Sequence, residues 1–224
     1  MSLLIEHGPQ LLRGLAATLA LAAAAWMLAL ACGLALCLAR LAQAWPLRLA
    51  VTGFIEFQRN VPPLVHIFLW YFGVSSLLAQ GLQDWANDHH GEIVFSAIAI
   101  GLYYGAYVAE DLRSGLRSIA PGQMQAALAL GMGRLDALRH VILPQALRAA
   151  LPALASTGVM LLKTTSLAMV IGAMELTYAT KEIANQSFRI FETYGISTAL
   201  YAAVALCLLA TAAWLERRLR PGER

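Results

Sequence analysis

Residues 121–152 read PGQMQAALALGMGRLDALRHVILPQALRAALP, a basic, amphipathic stretch set between long apolar runs. Gly131, Gly133, Pro144 and Pro152 punctuate it. The chain around it is 59% hydrophobic and only 13% charged, whereas a soluble domain carries about 25% charged residues. In such a chain this stretch is where a membrane-embedded protein meets something in water.

Outward from it lie five blocks long enough to cross a bilayer at ~1.5 Å of rise per residue. They cover residues 14–39, 61–83, 93–113, 149–174 and 193–215. The third is free of charge only as far as Ala109, and the fourth holds one charge, Lys163. These blocks predict an all-α integral membrane fold with five transmembrane helices. The first block is too long for the apolar core of a signal peptide and lacks a basic lead, so it is expected to stay in the mature protein.

An odd number of spans puts the termini on opposite sides. The tail Glu216-Arg217-Arg218-Leu219-Arg220 is basic, so the positive-inside rule predicts a cytoplasmic C-terminus and an external N-terminus. Alternation then turns Arg40, Arg48, Arg113, Arg117, Arg134, Arg139 and Arg148 inward. It turns Asp84, Asp88 and Glu92 outward, and predicts an external loop from Glu175 to Glu192 whose mixed charge suits either solvent or a docking protein. Trp70, Tyr71 and Trp85 are placed as an aromatic belt at the outer end of the second span. Adjacent His89 and His90 do not converge on one ion from a regular element, so no metal is expected. Cys32, Cys37 and Cys207 fall in apolar spans as small hydrophobes. Scattered arginines on membrane flanks argue against nucleic acid.

Two polar places interrupt the apolar blocks. Glu56 and Arg59 share a helical face at i, i+3, and Asn60-Val61-Pro62-Pro63 follows. Pro62 disfavours a helical Val61. The pair is either a boundary ion pair or the border of a polar pathway at a broken helix. Lys163 sits deep in the fourth block, with Thr164, Thr165 and Ser166 behind it. It holds two helices together through carbonyls or Glu56, lines a pathway where a cation suits a substrate carboxylate, or snorkels to the membrane surface. Gly158 ahead of Lys163-Thr164 lacks the second glycine of a nucleotide loop, so no cofactor is expected on this chain.

Within 121–152, Ile119-Ala120-Pro121-Gly122 marks a turn and 123–130 a helix. Gly131 and Gly133 break it, and 134–142 forms a second short helix that Leu143-Pro144 ends. A basic amphipathic segment lies on lipid or docks into a groove on a partner. The alanine-rich first helix favours the protein partner, because alanines cover little area in lipid but allow close approach.

Gln125-Ala126-Ala127, then Gly131, then Val141-Ile142-Leu143-Pro144 resembles the Glu-Ala-Ala loop of ABC importer permeases. Gln125 stands where that family has Glu, and Val141 where it has Ile. Phe57-Gln58-Arg59-Asn60-Val61-Pro62, the run from Gly105 to Glu110 with Arg113-Ser114-Gly115-Leu116, Leu162-Lys163-Thr164-Thr165-Ser166-Leu167, Glu175-Leu176-Thr177-Tyr178 and Ser187-Phe188-Arg189 resemble its polar amino acid subfamily. Thr164 replaces that subfamily's Asp or Asn. The resemblance implies an ABC type I importer permease fold over 14–215, with 121–148 as a cytoplasmic coupling loop. Gln125, Ala126, Ala127, Gly131, Gly133, Leu143 and Pro144 would couple to the ATPase, and Glu56, Arg59, Lys163, Thr164, Thr165 and Ser166 would border the substrate pathway.

It further implies a multi-pass protein of the bacterial inner membrane, in contact with lipid, that works with a cytoplasmic ABC ATPase dimer, a second permease and an extracytoplasmic binding protein. ATP and Mg would sit on the ATPase, so this chain is expected to be a transporter subunit and not an enzyme. Arg59-Asn60 and Trp70-Tyr71-Phe72-Gly73 lean towards glutamate/aspartate-type permeases. The alternative is an ion-coupled secondary transporter or a channel subunit. That mechanism needs acidic groups at mid-membrane depth, and the predicted spans offer none there.

Overall fold

The computed structural model describes residues 2–40, 42 and 44–219. Helix α1 (Ser2–Arg40) is a single rod about 58 Å long at the usual rise per residue. Small residues let α5 (Gly91–Arg117) lie directly on it. Leu28 lies against Gly101, Cys32 against Gly105, and Gly33 against Val108. Residue numbers rise together along both helices, so they are parallel. Ala25, Ala29, Ala99, Ile100, Tyr103, Tyr104 and Val108 form the centre of the core beside them.

The second crossing is built in two halves, α2 (Trp45–Asn60) and α3 (Pro63–Leu77). Val51 and Ile55 pack on Ala106 and Ala109, His66 on Tyr103, and Tyr71 on Phe95. Numbers rise on one side and fall on the other, so α2 and α3 together run antiparallel to the whole of α5. The helices here do not follow the block expected over 61–83: a helix already begins at Trp45, Val61 interrupts it, and residues beyond Leu77 belong to a separate helix, α4 (Gln80–Asp88). Hydropathy discounted α2 because it carries Arg48, Glu56 and Arg59, yet one of its faces buries Val51, Ile55 and Gln58. Val61 between the halves is extended, at φ −97° and ψ 135°, as the following proline requires.

After the short helix α6 (Pro121–Ala129), helix α7 runs from Arg134–Ile171 without a stop. The expected end at Leu143-Pro144 is overturned. A π turn over Leu138–Ile142 widens the helix just ahead of the proline, and Pro144 falls in the first turn of the segment that follows, where a missing N–H is tolerated. The last stretch, Thr165–Ile171, tightens to a 3₁₀ helix and stops at Gly172, whose φ is +90°. Gly115 of α5 touches Ala146 and Ala150 of α7, and Asp111 touches Thr157, so these two helices are antiparallel.

Residues 175–192 are not the expected surface loop. They form α8 (Leu176–Ser187) and the start of α9 (Ile190–Leu219). Leu176 and Ile183 of α8 pack against Leu3 and Leu11 of α1 and Ile196, Leu200 and Tyr201 of α9. The described residues thus hold four helices long and apolar enough to cross a membrane: Ile5–Arg40, Gly91–Arg117, Arg134–Ile171 and Ile190–Arg218. Pro63–Leu77 is a further, shorter apolar helix. Trp70 and Tyr71 lean on the core rather than standing free at its rim, and Trp85 is half-exposed, its ring stacked on His89.

Candidate functional site

The break between α2 and α3 sets Arg59 against the middle of α5, and a polar seam starts there. The Arg59 guanidinium lies 5.3 Å from the centre of the Tyr107 ring, a cation–π distance. Tyr104, Tyr107 and Asp111 fall at i, i+3 and i+7, one stripe of α5. Thr157 and Thr164 repeat at seven residues on α7. The two stripes meet: Tyr104 Oη and Thr164 Oγ1 are 2.7 Å apart, and the Thr157 hydroxyl donates to Asp111 Oδ2 at 2.7 Å. Tyr103 Oη and Tyr107 Oη are 3.2 Å apart, and His66 packs on the Tyr103 ring. Buried beside this seam, Gln58 Oε1 and His66 Nε2 have no hydrogen-bond partner.

Of the expected pathway residues, Arg59 and Thr164 join this seam. Lys163 is exposed, one position around the helix from Thr164, and its side chain has no ion pair or hydrogen bond among the described residues. Thr165 turns into the protein and donates to the Leu162 carbonyl, while Ser166 donates to the Lys163 carbonyl. Glu56 does not meet Lys163 or pair with Arg59. Its carboxylate accepts from Asn60 Nδ2 at 3.1 Å.

A second cluster carries the carboxylate that the sequence reading placed in an exposed loop. Glu175 is fully buried. Its Oε2 accepts from Tyr201 Oη at 2.7 Å, Thr18 Oγ1 at 3.2 Å and Thr177 N–H at 2.9 Å, and its Oε1 accepts from Tyr178 N–H at 2.9 Å. The Leu176 N–H donates to Thr18 Oγ1 in turn. One side chain therefore caps α8 and ties α1 to α9.

At the far end of α5, the chain reverses through α6 into α7. The Met132 N–H donates to the Ala127 carbonyl at 3.2 Å and the Gly131 N–H to Leu128 at 3.0 Å, a Schellman closure with Gly131 at φ +84°. Ala127 and Ala137 are buried where the two arms meet. Gln145 Nε2 bridges the base, donating to the Val141 carbonyl at 2.8 Å and to Gln123 Oε1 at 3.3 Å. Leu130 and Leu135 project from the tip at 84% and 76% exposure, and Gln125, Ala126, Gly133, Arg134, Arg139 and Leu143 are exposed around them. Pro144 is half-buried at the base.

Residues 31–221 match the family described as binding-protein-dependent transport system inner membrane component. The chain belongs to that family. Among relatives of this inner membrane component, the probable amino-acid permease protein YxeN of Bacillus subtilis (strain 168) is 37% identical over 191 residues, covering 85% of this chain and 83% of its own. The glutamine transport system permease protein GlnP of Escherichia coli (strain K12) is 36% identical over 167 residues, 75% of this chain and 73% of its own. The crystal structure of an amino acid ABC transporter with histidines matches at TM-score 0.82 and 32% identity, covering 96% of each chain. An inward-facing methionine ABC transporter, MetNI, matches in fold at TM-score 0.73 and 18% identity, covering 94% of this chain and 96% of its own. The chain is therefore a membrane component of a transport system, all-helical and of the type I importer permease fold.

Sequence reasoning missed Tyr104, Tyr107, Asp111 and Thr157 in this inner membrane component. Their signal was present as polar residues at i, i+3 and i+7 within an apolar helix. Nothing local marked Thr18 and Tyr201 as partners of Glu175.

Proposed function

We propose that this chain is the permease subunit of an ATP-driven importer for a polar amino acid. The observation that carries the reading is the hairpin of α6 and α7. It is rigidly closed at Gly131, and its tip exposes Leu130 and Leu135 beside Arg134 and Arg139. A tip with exposed leucines ringed by arginines fits a groove on a water-soluble partner. Gln125, Ala126, Ala127, Gly131, Gly133, Leu143 and Pro144 form its frame. The partner is a cytoplasmic ATPase dimer that holds ATP and Mg. A second permease, identical or different, completes the pathway, and an extracytoplasmic binding protein delivers the solute.

The polar seam is the pathway's lining in this reading. Arg59 offers a cation to a substrate carboxylate, and Tyr104, Tyr107 and Thr164 offer hydroxyls. Lys163, Ser166 and Glu56 border it, while Thr165, turned into the protein, supports the helix behind it. YxeN, GlnP and the glutamate/aspartate import permease protein GltJ of Escherichia coli, 29% identical over 214 residues, carry amino-acid permease names, which supports the solute class. A dicarboxylic amino acid fits the two cations Arg59 and Lys163. The basic end of the bundle, with Arg40, Arg48, Arg113 and Arg117, faces the cytoplasm by the positive-inside rule, which puts the C-terminus there and the N-terminus outside.

Co-purification tests this. The tagged chain is extracted in mild detergent from its native host, and bound proteins are quantified for the wild type and Gly131→Pro. Proline fixes φ near −65° and is incompatible with the +84° found at Gly131. The expected result is a stoichiometric ATPase that the variant loses, together with ATP-dependent amino acid uptake. Uptake that persists with no ATPase bound would overturn the reading in favour of an ion-coupled carrier.

A further inference from the structure

A cavity of about 360 Å³ opens where α1 ends, α2 begins and α5 ends, lined by Cys37, Arg40, Arg48, Thr52, Arg113, Leu116 and Arg117. Four arginines line it, and no carboxylate is among its described lining residues. Two of the four are held in its wall. Arg40 donates from Nε and Nη2 to Thr52 Oγ1 at 3.3 and 3.1 Å and also pairs with Glu110. Arg113 donates from Nε to Glu110 Oε2 at 2.9 Å. Both arginines share that single carboxylate. Arg48 and Arg117 are exposed at the mouth and take part in no side-chain hydrogen bond or ion pair among the described residues.

This is an excess of positive charge arranged around a space, with its inner half pre-organised. A solvated basic face does not need a recessed volume or a carboxylate and a threonine orienting two of its guanidiniums. Arginine forks match the oxygens of a phosphate in pairs. The neighbouring surface identifies where the phosphate comes from. Trp45, Arg48, Leu49 and Thr52 lie at i, i+3, i+4 and i+7, one stripe of α2. Trp45 and Leu49 are exposed on that stripe at 70% and 58%. An exposed tryptophan and leucine beside an arginine cavity at the end of a spanning bundle mark the headgroup level of a bilayer. Cys37 and Leu116 supply an apolar wall for the glycerol region.

We infer that this cavity binds the phosphate of an anionic phospholipid headgroup, with Arg40 and Arg113 as its fixed wall and Arg48 and Arg117 as the closing pair. The site is separate from the polar seam and from the hairpin tip, and the inference does not depend on which solute is carried.

The test compares the full transporter complex carrying wild-type permease, Arg48→Gln/Arg117→Gln, or Arg148→Gln. Arg148 is exposed on α7 outside the cavity and serves as a charge control. Each is titrated with phosphatidylglycerol in mixed micelles, with zwitterionic phosphatidylcholine, and with inorganic phosphate alone, following lipid retained by native mass spectrometry and thermal stabilisation. Each arginine near an anionic lipid surface contributes about a factor of five. The double variant is therefore expected to bind phosphatidylglycerol about thirtyfold more weakly, with Arg148→Gln unchanged and phosphatidylcholine inert throughout. A double Lys variant at 48 and 117, which keeps charge but loses the fork, is expected to fall between. Stabilisation by inorganic phosphate alone that vanishes in the Gln pair would keep the phosphate chemistry and reassign its source to free phosphate. Equal lipid retention by wild type and the Gln pair, or no response of wild type to either ligand, overturns the inference.

Discussion

Tyr104 Oη and Thr164 Oγ1 lie 2.7 Å apart, joining the midpoint of α5 to the point where α7 tightens into its 3₁₀ end. The contact connects one stripe of α5 to the far end of the helix that starts in the α6–α7 hairpin. A rigid movement of the hairpin along α7 would therefore act on the hydroxyls that line the proposed pathway.

Arg59 is the cation of that seam, with its guanidinium over Tyr107. Losing a charged hydrogen bond to a substrate carboxylate removes about 1.5–3 kcal/mol. Arg59→Gln is expected to lower ATP-dependent uptake by about tenfold or more while the ATPase still co-purifies. Uptake at the wild-type rate in reconstituted vesicles would remove Arg59 from the pathway.

Glu175 satisfies two N–H groups at the start of α8 and the hydroxyls of Tyr201 and Thr18 in one buried place. Glu175→Ala strips the cap and leaves the Thr177 and Tyr178 N–H groups without their acceptor, while Tyr201 Oη keeps Thr177 Oγ1 at 2.9 Å, a loss of about 2–4 kcal/mol. Glu175→Gln keeps one acceptor oxygen and is expected to lose less. Thermal unfolding in detergent measures both, and an Ala variant that melts with the wild type would show that α8 is held by packing alone.

Gly131 has open space around its missing Cβ, so only its left-handed backbone restricts it. Alanine there costs about 1 kcal/mol, while asparagine tolerates the conformation. Gly131→Ala is expected to weaken ATPase retention about fivefold and Gly131→Asn to leave it close to wild type. The reverse order in a binding titration would place the requirement elsewhere than in backbone conformation.

Gly115 is restricted by space. A Cβ there would sit 2.5 Å from the Ala146 carbonyl oxygen and 2.8 Å from Ala150 Cβ. Gly115→Ala is expected to destabilise the α5–α7 contact by about 1–3 kcal/mol. Gly53→Ala, where nothing lies within 4 Å, is expected to be neutral or mildly stabilising. Equal melting temperatures for the two variants would contradict the packing.

The hairpin was legible because its signals are local. Pro121 opens α6, Gly131 supplies the left-handed turn, and the leucines and arginines after it declare an exposed amphipathic tip. The second crossing was half legible. Pro62 announced the break correctly, but hydropathy could not credit α2 as a membrane half-helix while it carried Arg48, Glu56 and Arg59. Pro144 misled for a related reason: a proline rule assumes α geometry, and the π turn before it changes which N–H groups are needed.

Composition, apolar run length and the spacing of Gly and Pro in the sequence determined that this protein is a helical membrane bundle with a protruding hairpin. Those properties follow from hydrophobic transfer and from backbone sterics, which act on each segment by itself. Only the tertiary structure decided that Asp111 meets Thr157, that Arg59 reaches Tyr107, that four arginines line one cavity, and that Glu175 is buried. Such meetings depend on the relative rotation and offset of helices distant in the chain. That alignment is decided by close packing at small residues such as Gly33, Gly105 and Gly115, and no single segment contains it.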